Sequence, residues 1–417
     1  MTRSASPGPA SEWRAGGSML FAAMVCYCCS TLPLTVVGVL VKPLGAEFGW
    51  SRAMVSSAVL MTAIGSLVVG PFVGTIADRI GPRRVALPGL VAVALGIALI
   101  GLSGPSVASW YAAWALYAFL QCWAGNMIWA SGVVSRFDKN RGLALALMLM
   151  VQALNTGLMP SFGVFAIATM GWRSIFFFFA GFVMLVGLPL AWGFFYGAGD
   201  LDRRAGRVPA PVDPARRTSI RTALRQRQFW QIAIAFAIAA TAASSLLIHL
   251  QPILTDAGLS PARAAAIALV LGPSAIAGRL ASGFLLDRFP PNVVTASLIV
   301  LPAISHIILL AGGTSTLPAY LCAMFVGIAA GAESDLLAYL VSRYFGRDSF
   351  GGVYALLLGT FAIGYGLAPV GAGAVYDATG SYKPIFIVLA GAAVVGACLI
   401  FALGKPRAEL GSPEARD

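Results

Sequence analysis

Three charged side chains lie inside long apolar stretches of the sequence, where a charge is costly. Arg279 stands in one stretch, and Glu333 and Asp335 are the only acidic residues inside another. An arginine stays protonated under cellular conditions, and its planar guanidinium matches a carboxylate with two parallel hydrogen bonds. A buried carboxyl group favours its neutral form, so it is suited to taking up and releasing a proton. These residue types predict anion binding at Arg279 and proton coupling at Glu333 or Asp335.

The spacing along the two stretches places the cation and one acid at a similar depth. Arg279 and Glu333 are each 16 residues past the start of their apolar segments, and both segments run in the same direction. At about 1.5 Å per residue, both side chains lie about 24 Å along a helix. Residues two apart on a helix point about 200° apart, so only one of the two acids is able to face Arg279. The alternative to a substrate site is a structural ion pair.

Three further pairs of residues are spaced three or four apart in the first half, so each pair shares one face of a helix. Hydrogen-bonding groups beside an aromatic wall suit an organic acid, whereas the alternative is that they join neighbouring helices. The candidate substrate contacts are Tyr27 with Thr31, Asn126 with Trp129, and Gln152 with Asn155.

The histidines and cysteines predict neither a metal site nor a cofactor. His249 and His306 have no second ligand at helical spacing, and the six cysteines lie in apolar stretches. A free cysteine in such a place behaves as a small hydrophobic residue. His249 stands near the end of its segment, where it could face a vestibule and respond to pH.

The elements that must hold these residues are membrane-spanning helices. Hydrophobic residues make up 59% of the 417 residues and charged residues only 11%, against about 25% charged in soluble domains. This excludes a soluble enzyme, a nucleic-acid binder and a disordered chain. A span needs about 20 apolar residues. Twelve segments qualify, at approximately 18–41, 52–76, 85–103, 107–134, 143–168, 173–196, 229–251, 263–286, 293–311, 317–341, 350–374 and 384–403.

The positive charges give these helices an orientation. Of the 28 Lys and Arg residues, 22 fall on the side that holds both termini, 5 on the other side, and Arg279 lies within a segment. Cytoplasmic loops carry the excess of Lys and Arg, so we expect a multi-pass protein of the cell inner membrane with both termini in the cytoplasm. The net charge of +12 is therefore a topology signal and not evidence for a nucleic-acid partner.

A long basic connection divides the twelve segments into two sets of six, and short motifs repeat between the sets about half a chain length apart. This pattern is typical of transporters built from parallel repeats. The predicted organisation is an N-terminal cytoplasmic tail at 1–17, a six-helix half at 18–196, a basic linker at 197–228, a second half at 229–403 and a C-terminal tail at 404–417.

One loop and its repeat resemble the signature loop of the major facilitator superfamily. The loop reads Gly74-Thr-Ile-Ala-Asp78-Arg79-Ile-Gly81-Pro-Arg83-Arg84, and its repeat contains Gly283-Phe-Leu-Leu-Asp287-Arg288. Gly74 permits a close approach of helices, Asp78 is placed to pair with basic side chains across the loop, and Gly81 permits a tight turn. The resemblance implies an all-α membrane protein of twelve helices in two pseudo-symmetric halves, with this loop acting in gating.

A narrower resemblance is to bacterial members of the monocarboxylate-transporter-like branch, near the oxalate–formate exchangers. It is carried by Gly331 to Gly346, which includes Tyr339, by Lys42 to Arg52, and by Arg279. Tyr339 is accordingly added to the candidate substrate contacts. The sequence lacks the helix-1 lysine of monocarboxylate carriers and the helix-11 basic residue of oxalate–formate exchangers. A single intramembrane cation neutralises a monoanion but leaves a dianion with an unpaired charge.

The sequence as a whole predicts a proton-coupled secondary transporter of small organic monocarboxylates, aromatic ones included, that works by alternating access. The alternatives are a carboxylate exchanger of the oxalate–formate type, an exporter of drugs or metabolites on the same scaffold, and a membrane sensor that binds the acid without transporting it. The sequence contains no G-x-x-x-x-G-K-[ST] phosphate loop and no hydrolytic triad, so neither ATP nor enzyme activity is expected. The expected partners are the carboxylate, protons and the lipid bilayer, and we expect a monomer.

Overall fold

A computed structural model describes residues 9–137, 140–204, 223–312, 315–345 and 350–403. Within these ranges the regular secondary structure is helical, and turns connect the helices. In the described residues, eleven helical stretches are long and apolar enough to cross a membrane, and some of these stretches join two of the helices named below. The helices are α1 (Pro9–Thr35), α2 (Val37–Phe48), α3 (Arg52–Ile80), α4 (Pro82–Gly101), α5 (Val107–Gln121), α6 (Asn126–Arg136), α7 (Arg141–Met170), α8 (Trp172–Phe182), α9 (Leu188–Phe194), α10 (Ala198–Arg204), α11 (Arg227–Asp256), α12 (Pro261–Ala268), α13 (Leu271–Leu286), α14 (Pro291–Ile299), α15 (Leu301–Gly312), α16 (Thr316–Phe345), α17 (Phe350–Thr379) and α18 (Lys383–Phe401).

The predicted fourth segment, 107–134, is interrupted. It consists of α5, a 3₁₀ turn at Cys122–Ala124 and α6, and the two helices have only 15 and 11 residues. Gly125 leaves the helical conformation with φ −75° and ψ 173°, which ends the turn. The Trp129 indole donates a hydrogen bond of 2.7 Å to the Ala124 carbonyl and satisfies one of the freed groups. An apolar run of the predicted length is therefore present, but two helices share it.

The chain forms two compact units. Unit 1 consists of residues 1–36, 65–155 and 165–213, and unit 2 consists of 37–64, 156–164 and 214–417, within the limits of the described residues. Unit 2 thus contains α2, the first half of α3 and a short piece of α7 together with the second half of the sequence. The predicted basic linker falls mostly on 205–222, which lie outside the described residues, and its beginning forms α10.

Aromatic side chains fill the core of unit 1. Trp110, Trp114 and Tyr117 follow one face of α5 at helical spacing and are fully buried. Trp110 packs edge-on against Trp172, which in turn contacts Phe176, both on α8. These contacts combine large apolar area with the edge-to-face geometry that aromatic pairs prefer.

Unit 2 is organised around α11, whose buried face is rich in alanine and packs against α17 and α18. A second close pair is α13 with α16. A Cβ atom added at Gly278 would meet the backbone of Ile328, and one added at Gly331 would meet the Ala275 carbonyl oxygen. These two glycines therefore let α13 and α16 approach to backbone contact, as small residues do in membrane helix pairs.

Candidate functional site

Arg279 of α13 forms an ion pair with Asp335 of α16. Arg279 Nε lies 3.0 Å from Asp335 Oδ2. The same Nε contacts the Gly331 carbonyl oxygen at 3.3 Å, and Nη2 donates a hydrogen bond of 3.1 Å to Ser334 Oγ. The guanidinium is thus held by a carboxylate, a hydroxyl and a carbonyl from one turn of α16.

The two side chains of this ion pair are exposed to different degrees. The Arg279 side chain is 14% exposed, whereas the Asp335 side chain is 38% exposed. Tyr354 of α17 lies close enough to interact electrostatically with both charges. The pair is therefore half-buried, and its carboxylate is open to the surroundings.

The structure settles which acid faces Arg279. Asp335 does, and Glu333 does not, as the 200° separation on one helix requires. Glu333 is 3% exposed, and its Oε1 has no hydrogen-bond partner in the described part of the chain. The two acids thus have opposite surroundings although they are two residues apart.

Four polar side chains of unit 1 form a second cluster, where α1 meets α7. Thr31 Oγ1 donates a hydrogen bond of 2.6 Å to Gln152 Oε1. Cys28 Sγ contacts Asn155 Oδ1 at 2.9 Å, and Asn155 Nδ2 donates to the Cys28 carbonyl at 3.2 Å. The structure therefore brings together three of the predicted contacts, Thr31, Gln152 and Asn155, and adds Cys28, which the sequence analysis treated as a small hydrophobic residue. Tyr27 is half-buried on the same helix.

The other predicted substrate contacts are placed elsewhere. Trp129 is fully buried and packs against Phe195 with ring centroids 4.7 Å apart, so it presents no free surface in this conformation. Asn126 is exposed at the first turn of α6. Tyr339 is half-buried against the core of unit 2, with the Arg343 guanidinium 5.7 Å from its ring centroid.

The loop between α3 and α4 is held by Arg83. Its two terminal nitrogens donate hydrogen bonds of 2.7 Å to the carbonyls of Ala191, Trp192 and Phe195, at the C-terminal end of α9. Its guanidinium also lies 3.7 Å from the ring centroid of Tyr196. A cation at this place satisfies orphan carbonyls and complements the helix dipole.

The remaining loop residues surround this contact. Gly81 has φ of 98°, a left-handed conformation that favours glycine, and it makes the turn between α3 and α4. A Cβ at Gly74 would touch Met127 at 3.4 Å, which is ordinary contact. Asp78 lies in the last turns of α3, and its side chain is outside the described part of the structure. The exposed members of the two predicted gating loops are Arg79, Arg84, Asp287 and Arg288.

A charged cluster that the sequence did not identify as a site lies in unit 2, at the ends of α2, α3, α11 and α17. Lys42 Nζ and Arg52 Nη1 lie 2.7 and 2.6 Å from the two carboxylate oxygens of Asp256. Arg52 Nη1 also donates to the Tyr382 hydroxyl at 2.9 Å. Asp377 accepts hydrogen bonds of 3.0 Å from the backbone nitrogens of Arg52 and Ala53, which caps the start of α3. We call Lys42, Arg52, Asp256, Asp377 and Tyr382 the Arg52 cluster.

One protein-family model matches most of the chain. The sequence model of the Major Facilitator Superfamily matches residues 23–332, well over half of the chain. The chain belongs to the Major Facilitator Superfamily. No curated protein matches it in sequence.

A solved structure shares the fold of this superfamily member. It is the crystal structure of a bacterial homologue of the human lysosomal transporter Spinster, in an inward-facing and unoccupied conformation. The TM-score is 0.68 at 18% identity, over 95% of this chain and 94% of that chain. At this identity the likeness shows the fold alone. It confirms the predicted all-helical membrane architecture.

Membership of the Major Facilitator Superfamily establishes the general activity. The protein is a multi-pass membrane protein and a secondary transporter of small molecules, and it is not an enzyme. Membership of the superfamily does not identify the substrate, so we infer the substrate class from the charged groups described above.

Proposed function

We propose that this transporter carries small organic monocarboxylates together with a proton, and that it belongs to the monocarboxylate-transporter-like branch. The observation that carries the proposal is the ion pair of Arg279 with Asp335, at 3.0 Å. The guanidinium already binds one carboxylate through its Nε, which supports its binding a substrate carboxylate as well. The substrate carboxylate would take the place of the Asp335 side chain.

Charge balance links this exchange to a proton. The pair is neutral in the structure, and a monoanion on Arg279 would place its negative charge beside that of Asp335, which is unfavourable. A proton on Asp335 removes that charge. Anion and proton therefore bind together, and the loaded site is again neutral. A dianion would leave one negative charge without a partner, which favours monocarboxylates over oxalate.

Glu333 has a different part in this scheme. It lies next to the pair in sequence but is fully buried with no charged partner among the described residues. An ionised carboxylate in such a place is very unfavourable, so Glu333 keeps its proton throughout the cycle in our proposal. Asp335 is then the proton-coupling residue. The other candidate substrate contacts stay predictions: Tyr27, Thr31, Asn126, Trp129, Gln152, Asn155 and Tyr339.

Uptake by proteoliposomes tests the proposal. A panel of labelled monocarboxylates and oxalate is offered with and without an inward proton gradient. We expect the gradient to accelerate monocarboxylate uptake. Oxalate–formate exchange would instead appear as counterflow whose rate does not depend on the proton gradient. Export of hydrophobic cations would contradict the proposal.

A matched pair of arginine variants localises the site. Arg279→Gln removes a charge-assisted hydrogen bond worth about 1.5–3 kcal/mol, so substrate affinity should fall about 10- to 100-fold. Arg263→Gln removes the same charge at the exposed start of α12 and should transport like the wild type. Unchanged uptake by Arg279→Gln would remove the anion site from the proposal.

A further inference from the structure

His249 connects the Arg52 cluster to the interior of unit 2. It is fully buried on α11, so in this conformation it does not face a vestibule. Its Nδ1 lies 2.8 Å from the Tyr382 hydroxyl, and its Nε2 lies 2.8 Å from the Pro369 carbonyl oxygen and 3.2 Å from Ser56 Oγ. An unbroken chain of hydrogen bonds thus leads from Asp256 through Arg52 and Tyr382 to the imidazole.

The partners of the imidazole fix where its proton resides. A carbonyl oxygen only accepts, so Nε2 carries the hydrogen and donates it to Pro369. Nδ1 is then the acceptor, and the Tyr382 hydroxyl donates to it. Burial raises the pKa of Tyr382 above its ordinary value, so the hydroxyl keeps the proton that it donates. The closed network therefore requires a neutral His249.

A second proton on His249 does not fit this packing. Nδ1–H would point at the Tyr382 oxygen, which already accepts from Arg52, and the tyrosine proton would lose its acceptor among the described residues. The charged groups that act on His249 are Arg52 and Asp377. Arg52 repels an imidazolium, and Asp377 is engaged by the backbone of α3. The rest of the Arg52 cluster, Asp256 with Lys42, is internally paired.

We propose that His249 is a proton-binding switch that holds this end of unit 2 closed when neutral and releases it when protonated. The closed form joins residues 37–64 to α11, α17 and α18 through Arg52, Ser56 and the close contact of Gly38 with Ile248. In this proposal these contacts separate when the transporter opens at this end. The open form then frees Nδ1 to bind a proton that the closed form excludes.

The sign of the pH effect follows from this difference. A ligand shifts an equilibrium toward the state that binds it, so a falling pH favours the open form. One proton changes the ratio of open to closed molecules by at most about tenfold per pH unit. In the predicted orientation this end faces away from the cytoplasm, so an acidic exterior would open the carrier to its substrate. The link between an acidic exterior and substrate uptake rests on the proposed proton coupling, whereas the pH-dependent opening itself does not.

A distance measurement without substrate tests the switch separately from transport. Spin labels are attached to ketone-bearing amino acids at Ala46 and Ala257, two exposed positions at the ends of α2 and α11, with all native cysteines kept. Double electron–electron resonance in liposomes is recorded between about pH 7.5 and about pH 5, the range in which an accessible histidine titrates. We expect a longer-distance population that grows as the pH falls.

Two histidine variants and one tyrosine variant decide the outcome. His249→Gln should lose the pH dependence, whereas His306→Gln, at the other buried histidine, should keep it. Tyr382→Phe removes the bonds to both Arg52 and His249, so its open population at pH 7.5 should exceed that of the wild type. The proposal would be overturned if the distance between the labels in the wild-type protein did not change with pH. It would also be overturned if the distance in His249→Gln changed with pH as it does in the wild type. Failure of carboxylate uptake with an intact pH response would instead count against the proposed substrate alone.

Discussion

Glu333 and Asp335 show how much two residues on one helix differ when only one of them meets a counter-charge. Asp335→Asn removes the group that we propose to take the proton and leaves Arg279 free for an anion. Uptake driven by a proton gradient should fall to the level of the gradient-free control, while counterflow of the same acid continues. Radiolabelled uptake and counterflow in proteoliposomes measure the two activities.

Glu333→Gln is the matched control for that variant. Because Glu333 carries its proton in our proposal, an amide of similar shape should leave gradient-driven uptake within about twofold of the wild type. Loss of proton coupling in Glu333→Gln with coupling retained in Asp335→Asn would exchange the roles of the two acids.

At this scale, helix geometry predicted that one acid faces Arg279, but it could not select between them. The selection depends on which face of α16 packs against α13, and Gly278 and Gly331 determine that face through contacts 50 and 56 residues apart in sequence. The Arg52 cluster was missed for the same reason. Arg52 and Asp377 are 325 residues apart, and no local pattern marks their contact.

At the scale of the elements, the glycine pairs make a prediction about the position of Arg279. Gly331→Ala would press a methyl group against the Ala275 carbonyl oxygen, so α16 must move away from α13. Overpacking of this kind costs about 1–3 kcal/mol. We expect a lower melting temperature in detergent and weaker substrate binding. Gly283→Ala is the control, because a Cβ there meets no atom within 4 Å, and equal behaviour of the two variants would contradict the prediction.

The cap that Arg83 provides for α9 makes a second prediction at this scale. Arg83→Ala removes three hydrogen bonds to carbonyls at the end of that helix. The cost should be about 1–3 kcal/mol, since charged hydrogen bonds are stronger than neutral ones. Thermal unfolding in detergent measures it. Arg84→Ala changes an exposed neighbour and should unfold with the wild type. The signature loop would lose its structural role if Arg83→Ala were equally stable.

The presence of most membrane helices was the most predictable feature of this chain, because a run of apolar residues is sufficient to mark a membrane helix. The predicted segment at 52–76, for example, corresponds to a span at Arg52–Ala77. The interruption at Cys122–Ala124 was not foreseen, since an apolar composition continues through it. Hydropathy records where a chain is apolar, and it does not record where backbone hydrogen bonds are broken.

At the scale of the whole molecule, the distribution of Lys and Arg predicts on which side each loop lies. The α3–α4 loop carries three arginines, whereas the end of α11 lies on the side with few basic residues. A cysteine introduced at Ala257 should react with a membrane-impermeant maleimide in intact cells, above the level of the wild type. A cysteine at Arg84 should react only after the cells are made permeable. Both positions are exposed, so access to the reagent and not burial decides the result. The reverse pattern would place the Arg52 cluster on the cytoplasmic side, and the proposed switch would then respond to internal pH.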